Sequence, residues 1–283
     1  MAISQDLQSG RVGRGPGAGI RVSIGLLLLV GGLYFGSQCL VELPDRGIGA
    51  IAALLAFPIT WITFWRARVR RQAFRDFYLT PEGTWHRWIR GGVVMLANRL
   101  IIALALALLL IIGLARVESR AFWAVLLSVA LLWPISYALC LKFVALQANP
   151  RFHRLLATRM HMALWFAVLL VVLVVLAFFA PVPDVRGASL DEAMLRFTMG
   201  YPARSQALDW GLVASEGLRA LPHWLLQNLG EGLPSRLLSL LAWSLVLMRE
   251  WLFAWPLLLL FQAAQDMLDG RIHDRLGEAG LLK

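Results

Sequence analysis

The stretch Leu237–Phe261, LLSLLAWSLVLMREWLFAWPLLLLF, decides the fold because it is predominantly apolar and carries Arg249 and Glu250 near its middle. A helix needs about 20 apolar residues to cross the hydrocarbon core of a bilayer, and this stretch exceeds that length. Charged side chains are costly in hydrocarbon, so they are rare there and are usually paired or functional. The stretch therefore predicts a membrane helix with a paired or functional charge.

The composition of the whole chain favours a membrane protein. Of its 283 residues, 59% are hydrophobic and 16% are charged, whereas a soluble domain carries about 25% charged residues. The net charge of +10 would suggest nucleic acid as a partner of a soluble protein. In a membrane protein, arginine-rich loops that set the topology explain this charge more simply. We therefore expect no direct nucleic-acid binding.

Apolar stretches elsewhere in the chain complete the predicted fold, which is an all-α polytopic membrane protein. We expect six transmembrane helices arranged as three hairpins, because no alternating barrel pattern occurs. The predicted spans are Val22–Val41, Gly47–Trp65, Gly92–Leu114, Ala121–Phe143, His161–Ala180 and Leu237–Phe261.

The distribution of Lys and Arg among the short loops predicts the orientation. The N-terminal tail carries three such residues, 66–91 carries seven and 142–160 carries four, against one in 42–46 and two in 115–120. Both termini should therefore be cytoplasmic. The sequence has no Asn-x-Ser/Thr sequon, which fits a bacterial source, so the expected location is a bacterial inner membrane. The predicted regions are a flexible cytoplasmic tail 1–21, a five-helix membrane region 22–180 with the basic cytoplasmic loop 66–91, a periplasmic amphipathic segment 181–236, the sixth helix 237–261 and a cytoplasmic tail 262–283.

The predicted periplasmic segment should contain short helices. Ser189 and Glu192 have the spacing of a capping box. A second helix is expected over Ala203–Leu221, with Pro222 ending it and a further turn over His223–Leu229. These helices would lie in the membrane interface or offer an apolar face to a partner protein.

Each even-numbered predicted span contains an aromatic-Pro-aliphatic triplet, centred on Pro58, Pro134 and Pro256. A proline inside a helix removes one backbone hydrogen bond and can kink the helix. One hypothesis is a threefold repeat whose kinked return helices line a cavity, as repeats do in transporters. The alternative is chance, since proline is frequent in membrane helices.

A basic helix is expected over Arg66–Tyr78, on the cytoplasmic side. Its arginines would contact anionic lipid headgroups, or they would act as a plain stop-transfer cluster. The candidate headgroup contacts are Arg66, Arg68, Arg70, Arg71 and Arg75.

Arg249 and Glu250 point about 100° apart on a helix, so they cannot both face one groove. Arg99, in the third predicted span, is the candidate partner of Glu250. Three hypotheses follow: a structural ion pair between helices, a contact with a charged helix of another subunit, or an ion pathway.

Catalytic motifs do not occur in the sequence. The five histidines have no metal-ligand spacing on one helix, and no HExxH, P-loop or GxSxG pattern is found. We therefore expect neither enzymatic activity nor a cofactor or metal.

The C-terminal third resembles membrane proteins encoded in bacterial integrating conjugative elements. The matching residues are Asp269-Gly270-Arg271-Ile272, followed by Arg275 and Gly277. In that family an outer helical segment precedes the last span, which runs into a cytoplasmic Asp-Gly with basic residues. The resemblance implies an accessory membrane subunit of a DNA-transfer apparatus.

Two functional hypotheses follow from the sequence. The first is a non-enzymatic subunit or scaffold of a larger membrane complex, with Arg249, Glu250 and the outer helices contacting protein partners. The second is a small transporter or lipid-handling protein with a cavity formed by proline-kinked helices. Membrane lipids are expected partners in both cases.

The predicted orientation can be tested with a reporter enzyme that is active only outside the cytoplasm. Fusion after Thr80 should give an inactive reporter, because the arginine-rich loop stays inside, and fusion after Trp210 should give an active one. Equal activity of the two fusions would contradict the topology.

Overall fold

A computed structural model describes residues 17–78, 93–117, 119–148, 153–179, 182–198, 203–228 and 235–269. Within these ranges the regular elements are helices. The α-helices are α1 Gly17–Cys39, α2 Asp45–Tyr78, α3 Val93–Ala115, α4 Arg120–Gln147, α5 His153–Phe179, α6 Leu190–Thr198, α7 Gln206–Asn228 and α8 Ser235–Leu268, with a short 3-10 turn at Leu40–Glu42.

Six of these helices, α1 to α5 and α8, are long and apolar enough to cross a membrane. The predicted fold class, an all-α polytopic membrane protein, is therefore confirmed. The candidate spans are Gly19–Glu42, Asp45–Arg68, Val94–Ala115, Arg120–Gln147, His153–Phe179 and Arg236–Leu268.

The helix α8 lies at the centre of the bundle. It packs on α1, α2, α3, α5 and α7, and a larger share of it is buried than of any other described span. Five successive side chains, Leu257–Phe261, are almost fully buried. The C-terminal half of α8 therefore lies in the middle of the bundle, whereas its N-terminal half leaves Leu240 and Trp243 exposed.

The central position of α8 changes the predicted pairing of helices. The hairpin of α5 and α8 is present as a packed pair, but α2 packs mainly on α3 and α1 packs mainly on α4. The prediction of three packed hairpins is therefore wrong for the first two. The physical reason is that α8 packs against both α1 and α2. It therefore covers the surfaces through which these two helices would have contacted each other.

The three prolines of the proposed repeat all lie inside helices, in α2, α4 and α8. Their neighbours differ in burial. Ile59 and Leu257, which follow the first and third prolines, are fully buried, whereas Ile135 of the second triplet is exposed. The middle copy thus turns a different side toward the core, which argues against three hairpins of common design.

The proline at position 222 does not end a helix. The helix α7 runs without interruption from Gln206 to Asn228, so the predicted stop at Pro222 and the separate turn His223–Leu229 are wrong. Proline costs a helix interior one backbone hydrogen bond. Here Pro222 and Ala220 are buried against the protein, and this packing outweighs the local preference.

Several helices extend beyond their predicted spans, and in α2 and α8 the extension changes a predicted region. The basic segment Arg66–Tyr78 is not a separate helix but the end of α2, which has 34 residues and a length of about 51 Å. This exceeds the roughly 30 Å of a bilayer core. The helix α8 continues past Phe261 to Leu268, so the start of the predicted cytoplasmic tail is helical.

The helices α6 and α7 cover one end of the bundle, which we call the capped end. Ser205 begins α7 by accepting a hydrogen bond from the Leu208 amide, 3.2 Å away. Its hydroxyl donates to the Asp45 carboxylate at the start of α2, at 2.6 Å. The Ser189 hydroxyl accepts a hydrogen bond from the Glu192 backbone amide at 3.2 Å. This is the side-chain-to-backbone hydrogen bond that the predicted capping box requires of Ser189.

The close packing of α8 on α3 can be tested at Gly113. A Cβ at this position would overlap the ring of Phe253, whereas a Cβ on Gly32 of α1 would meet nothing within 4 Å. Gly113→Ala should lower the free energy of unfolding by about 1–3 kcal/mol because the core is overpacked. Gly32→Ala should be neutral or stabilise by up to about 1 kcal/mol. Unfolding in mixed detergent micelles measures both, and equal stabilities would contradict the packing.

Candidate functional site

Glu250, one of the acidic side chains of α8, is buried in a network of ion pairs. Its carboxylate accepts a hydrogen bond from Arg249 at 2.9 Å and lies 3.5 Å from Arg116, the residue that follows α3. The side chains of Glu250 and Arg116 are 4% and 8% exposed. A charge at such a site is tolerated only when it is paired.

A second buried acid extends the network into α7. The carboxylate of Glu216 lies 3.3 Å from Arg249 and 3.5 Å from Arg219. Arg116 donates a further hydrogen bond to the hydroxyl of Ser215, at 2.9 Å. The ion-pair network, defined as Arg116, Glu216, Arg219, Arg249 and Glu250, therefore ties α7 to α8 and to the end of α3.

Glu250 pairs with Arg116 and not with Arg99, its predicted partner. Arg99 precedes Arg116 by 17 positions along α3, a rise of roughly 26 Å. The C-terminal end of α3 meets Glu250, and that end presents Arg116. As predicted, Arg249 and Glu250 point in different directions: apart from their mutual contact, Arg249 reaches α7 and Glu250 reaches the end of α3.

The depth of the charged pair also differs from the prediction. Phe253, one turn beyond Glu250, contacts Phe122 in the first turn of α4, with 5.6 Å between ring centroids. The middle of α4, at Trp133, instead contacts Phe261, at 5.4 Å. The network thus lies near the capped end, because the long helix α8 extends beyond the middle of the bundle on that side.

Arginines outnumber glutamates among the described members of the ion-pair network. Among the described residues it joins three arginines to two glutamates. Burial lowers the pKa of Arg116, and the positive charge of Arg249 lowers it further, to about 10. The guanidinium of Arg116 is therefore charged at pH 7. Burial lowers the pKa of the nearby His223, and Arg219 and Arg249 lower it further, so His223 is neutral at pH 7.

Aromatic rings support two of the arginines. The guanidinium carbon of Arg116 lies 5.8 Å from the centroid of Phe253, and that of Arg219 lies 5.7 Å from Phe197 on α6. The ring of Phe197 also stacks on His223, at 5.8 Å. Cation–π contacts of this kind stabilise a guanidinium that has lost its water.

A cavity of about 230 Å³ lies beside the network, between α5, α7 and α8. The lining residues with polar side-chain groups are Arg219, His223, Trp243 and Arg249, and the other lining residues are apolar. None of the predicted kink residues Pro58, Pro134 and Pro256 lines it, whereas Pro222 does. Its lining is Val174, Ala177, Phe178, Leu218, Arg219, Pro222, His223, Leu226, Ala242, Trp243, Val246 and Arg249.

A second polar cluster lies deeper in the bundle, on α8. The indole nitrogen of Trp133 donates to the Gln265 side chain at 2.8 Å, and Gln262 donates to Asp266 at 3.1 Å. All four side chains are buried. The side chains of Gln262, Gln265 and Asp266 are spaced at i, i+3 and i+4, so they lie on one face of α8. This spacing is the feature of the sequence that indicates the cluster.

The same cluster continues between α4 and α5. Trp165 donates to the hydroxyl of Ser136 at 2.8 Å, and this hydroxyl lies 3.0 Å from Nε2 of His161. Because the buried polar groups bond to one another, the cluster joins α4, α5 and α8 in one register.

The candidate lipid-contact arginines lie along α2. Arg66 and Arg68 are half-buried, and the guanidinium carbon of Arg68 lies 5.1 Å from the Trp65 ring. The side chains of the others, Arg70, Arg71 and Arg75, lie outside the described residues. Lipid contact by these arginines stays a prediction.

Sequence reasoning missed most of the ion-pair network. Glu216 and Arg219 lie at i, i+3 in a segment that was expected to rest in the interface, and Arg116 follows the last apolar residues of its span. The signal was available: a buried Arg and Glu on α8 require counter-charges, and the nearest loop and α7 carry them.

No family model, curated protein or solved structure matches this chain.

The energetic role of the network can be tested with Glu250→Gln. This variant leaves Arg116 and Arg249 buried with one carboxylate fewer, and the free energy of unfolding should fall by about 3–5 kcal/mol. Glu192→Gln is the matched control, because it breaks the exposed pair of Glu192 with Arg196 and should cost less than about 1 kcal/mol. Similar losses of unfolding free energy in the two variants would show that the buried ion pairs stabilise the protein no more than an exposed pair does.

Proposed function

We propose that this integral membrane protein handles lipids and that it binds an anionic amphiphile in the cavity between α5, α7 and α8. The observation that carries the proposal is the composition of the cavity wall. Two partly buried arginines, with side chains 19% and 11% exposed, line a mostly apolar cavity, and this combination complements a molecule with an anionic head and a hydrocarbon chain.

The position of the cavity supports an amphiphile. Val174, on the cavity wall, lies five positions before the end of α5 at Phe179, a rise of about 7.5 Å. The cavity is therefore expected near the level at which hydrocarbon gives way to lipid headgroups. An amphiphile at this level keeps its chain in the apolar phase while its head reaches the arginines.

A binding role fits the cavity better than a catalytic one, and we propose that the protein is not an enzyme. The described lining residues include two arginines and a neutral imidazole, which can act as a base, but no carboxylate, hydroxyl or thiol to act as the nucleophile. Donors of this kind hold an anion in place and do not by themselves form a nucleophile–base pair.

A second proposal is that the chain is a subunit of a larger membrane complex. The favouring observation is the apolar outer surface of α6 and α7, where Trp210 is 71% exposed and Leu195 is 53% exposed. Arg249 and Glu250 form ion pairs within the protein, so they do not favour a contact with a partner protein. The resemblance to proteins of conjugative elements makes a DNA-transfer apparatus in a bacterial inner membrane the proposed setting, with no direct contact to nucleic acid.

Filling the cavity should abolish lipid binding. Ala177→Phe places a large ring into the cavity, and Ala214→Phe makes the same change on the exposed face of α7. Native mass spectrometry of the purified protein should show an amphiphile bound to the wild type and to Ala214→Phe but not to Ala177→Phe. Equal lipid occupancy of all three proteins would contradict the proposal. A stoichiometric protein partner in place of lipid would favour the subunit.

A further inference from the structure

The cavity between α5, α7 and α8 has an apolar rim, and its charged side chains lie further inside. We call the gap between Phe178 of α5 and Trp243 of α8 the mouth of the cavity. These two rim residues are 71% and 48% exposed, whereas the lining residues Arg219 and Arg249 are much less exposed. Charged groups favour water over apolar surroundings, so an anion site that opens to water would present them at its rim. The observed order fits a site that opens to lipid.

The two rim residues belong to helices that are able to cross the membrane. Phe178 lies in the candidate span His153–Phe179. Trp243 lies in the candidate span Arg236–Leu268. Exposed apolar side chains of such helices face the bilayer, and tryptophan is frequent where hydrocarbon meets the headgroups. The mouth therefore faces the leaflet on the side of the capped end.

The helix α6 covers the wall that α7 contributes to the cavity. Its buried Phe197 stacks on His223, with 5.8 Å between ring centroids, and the guanidinium carbon of Arg219 lies 5.7 Å from the same ring. Met194 packs beside the buried Gly217, since a Cβ added there would lie 3.7 Å from the Met194 methyl carbon. Among the described elements, the open side of the cavity is therefore the mouth between α5 and α8.

We infer that the amphiphile enters the cavity head first from the surrounding leaflet, through the mouth, and that its chain stays in the lipid. This inference rests on the proposed lipid-binding function of the cavity. A volume of about 230 Å³ lies below the range of roughly 300–1,000 Å³ for pockets that enclose a drug-sized ligand. The cavity therefore holds the head and the beginning of one chain, and the rest of the molecule lies against the rim and beyond it.

The apolar mouth specifies the class of ligand. A fatty acid or membrane lipid carries its head to the mouth while its chain remains in hydrocarbon, so no apolar surface is exposed to water. A small soluble anion would have to leave water and cross the apolar rim without a chain to offset that cost. The site should therefore bind lipids of the leaflet and reject small anions that have the same head.

The experiment follows tryptophan fluorescence of the full-length protein in nanodiscs of zwitterionic phosphatidylcholine. The probes are two stearates, brominated at neighbouring carbons in either the first or the second half of the chain, because bromine quenches a tryptophan that lies close to it. Quenching should saturate, and bromines near the head should quench more strongly than bromines near the chain end. Unlabelled stearate should displace the probe, whereas acetate, which has the carboxylate without the chain, should not.

Tryptophan variants locate the quenched side chain. Trp243→Phe should remove most of the saturable quenching. Trp210→Phe, the same change at an exposed position of α7 outside the cavity wall, should keep it. Adding Phe178→Trp to Trp243→Phe should restore the quenching, because it places a tryptophan on the other side of the mouth. Both rim positions are exposed, so these exchanges between aromatic residues leave the core unchanged.

Native mass spectrometry of the same samples separates the inference from the proposed function. If no stearate binds to the wild type, the lipid-binding function fails. If stearate binds but is quenched equally in Trp243→Phe and in the wild type, the function stands and the inferred mouth is overturned. Displacement of the probe by acetate, or stronger quenching by bromines near the chain end, would overturn the head-first entry from lipid.

Discussion

The structure depends on the cost of burying charge in a medium that cannot solvate it. Arg249 and Glu250 are neighbours on the central helix and point about 100° apart, so each must find its own counter-charge on a different element. Glu216 on α7 pairs with Arg249, and Arg116 after α3 pairs with Glu250. This requirement holds α7 across the capped end.

The polar groups of α8 define its register at two levels. The ion-pair network lies near the capped end, and the cluster around Gln262, Gln265 and Trp133 lies near the middle of α4. Apolar side chains alone specify a register weakly in lipid, because lipid tails are as apolar as the neighbouring helices. Buried hydrogen bonds and ion pairs have fixed partners, so they determine which helices meet and at which height.

The same arginines serve the architecture and the proposed site. Arg219 and Arg249 hold Glu216 and also line the cavity. Stability and the proposed ligand binding would therefore be coupled, since a group that binds the arginines also changes the electrostatic field around the ion pairs that join α7 to α8. By contrast, Glu192 and Arg196 of α6 form an exposed pair outside the network.

The sequence by itself determined the six spans, because hydrocarbon demands about 20 apolar residues per helix whatever the helix contacts. It also determined that the buried charges of α8 need partners. Only the tertiary structure decided that Arg116, rather than Arg99, pairs with Glu250 and that α7 continues through Pro222. It likewise decided that α1 packs on α4 instead of α2. The physical reason is that apolar helices carry nearly the same pattern, and the choice between them depends on side-chain fit and on the few polar pairs that meet across the bundle.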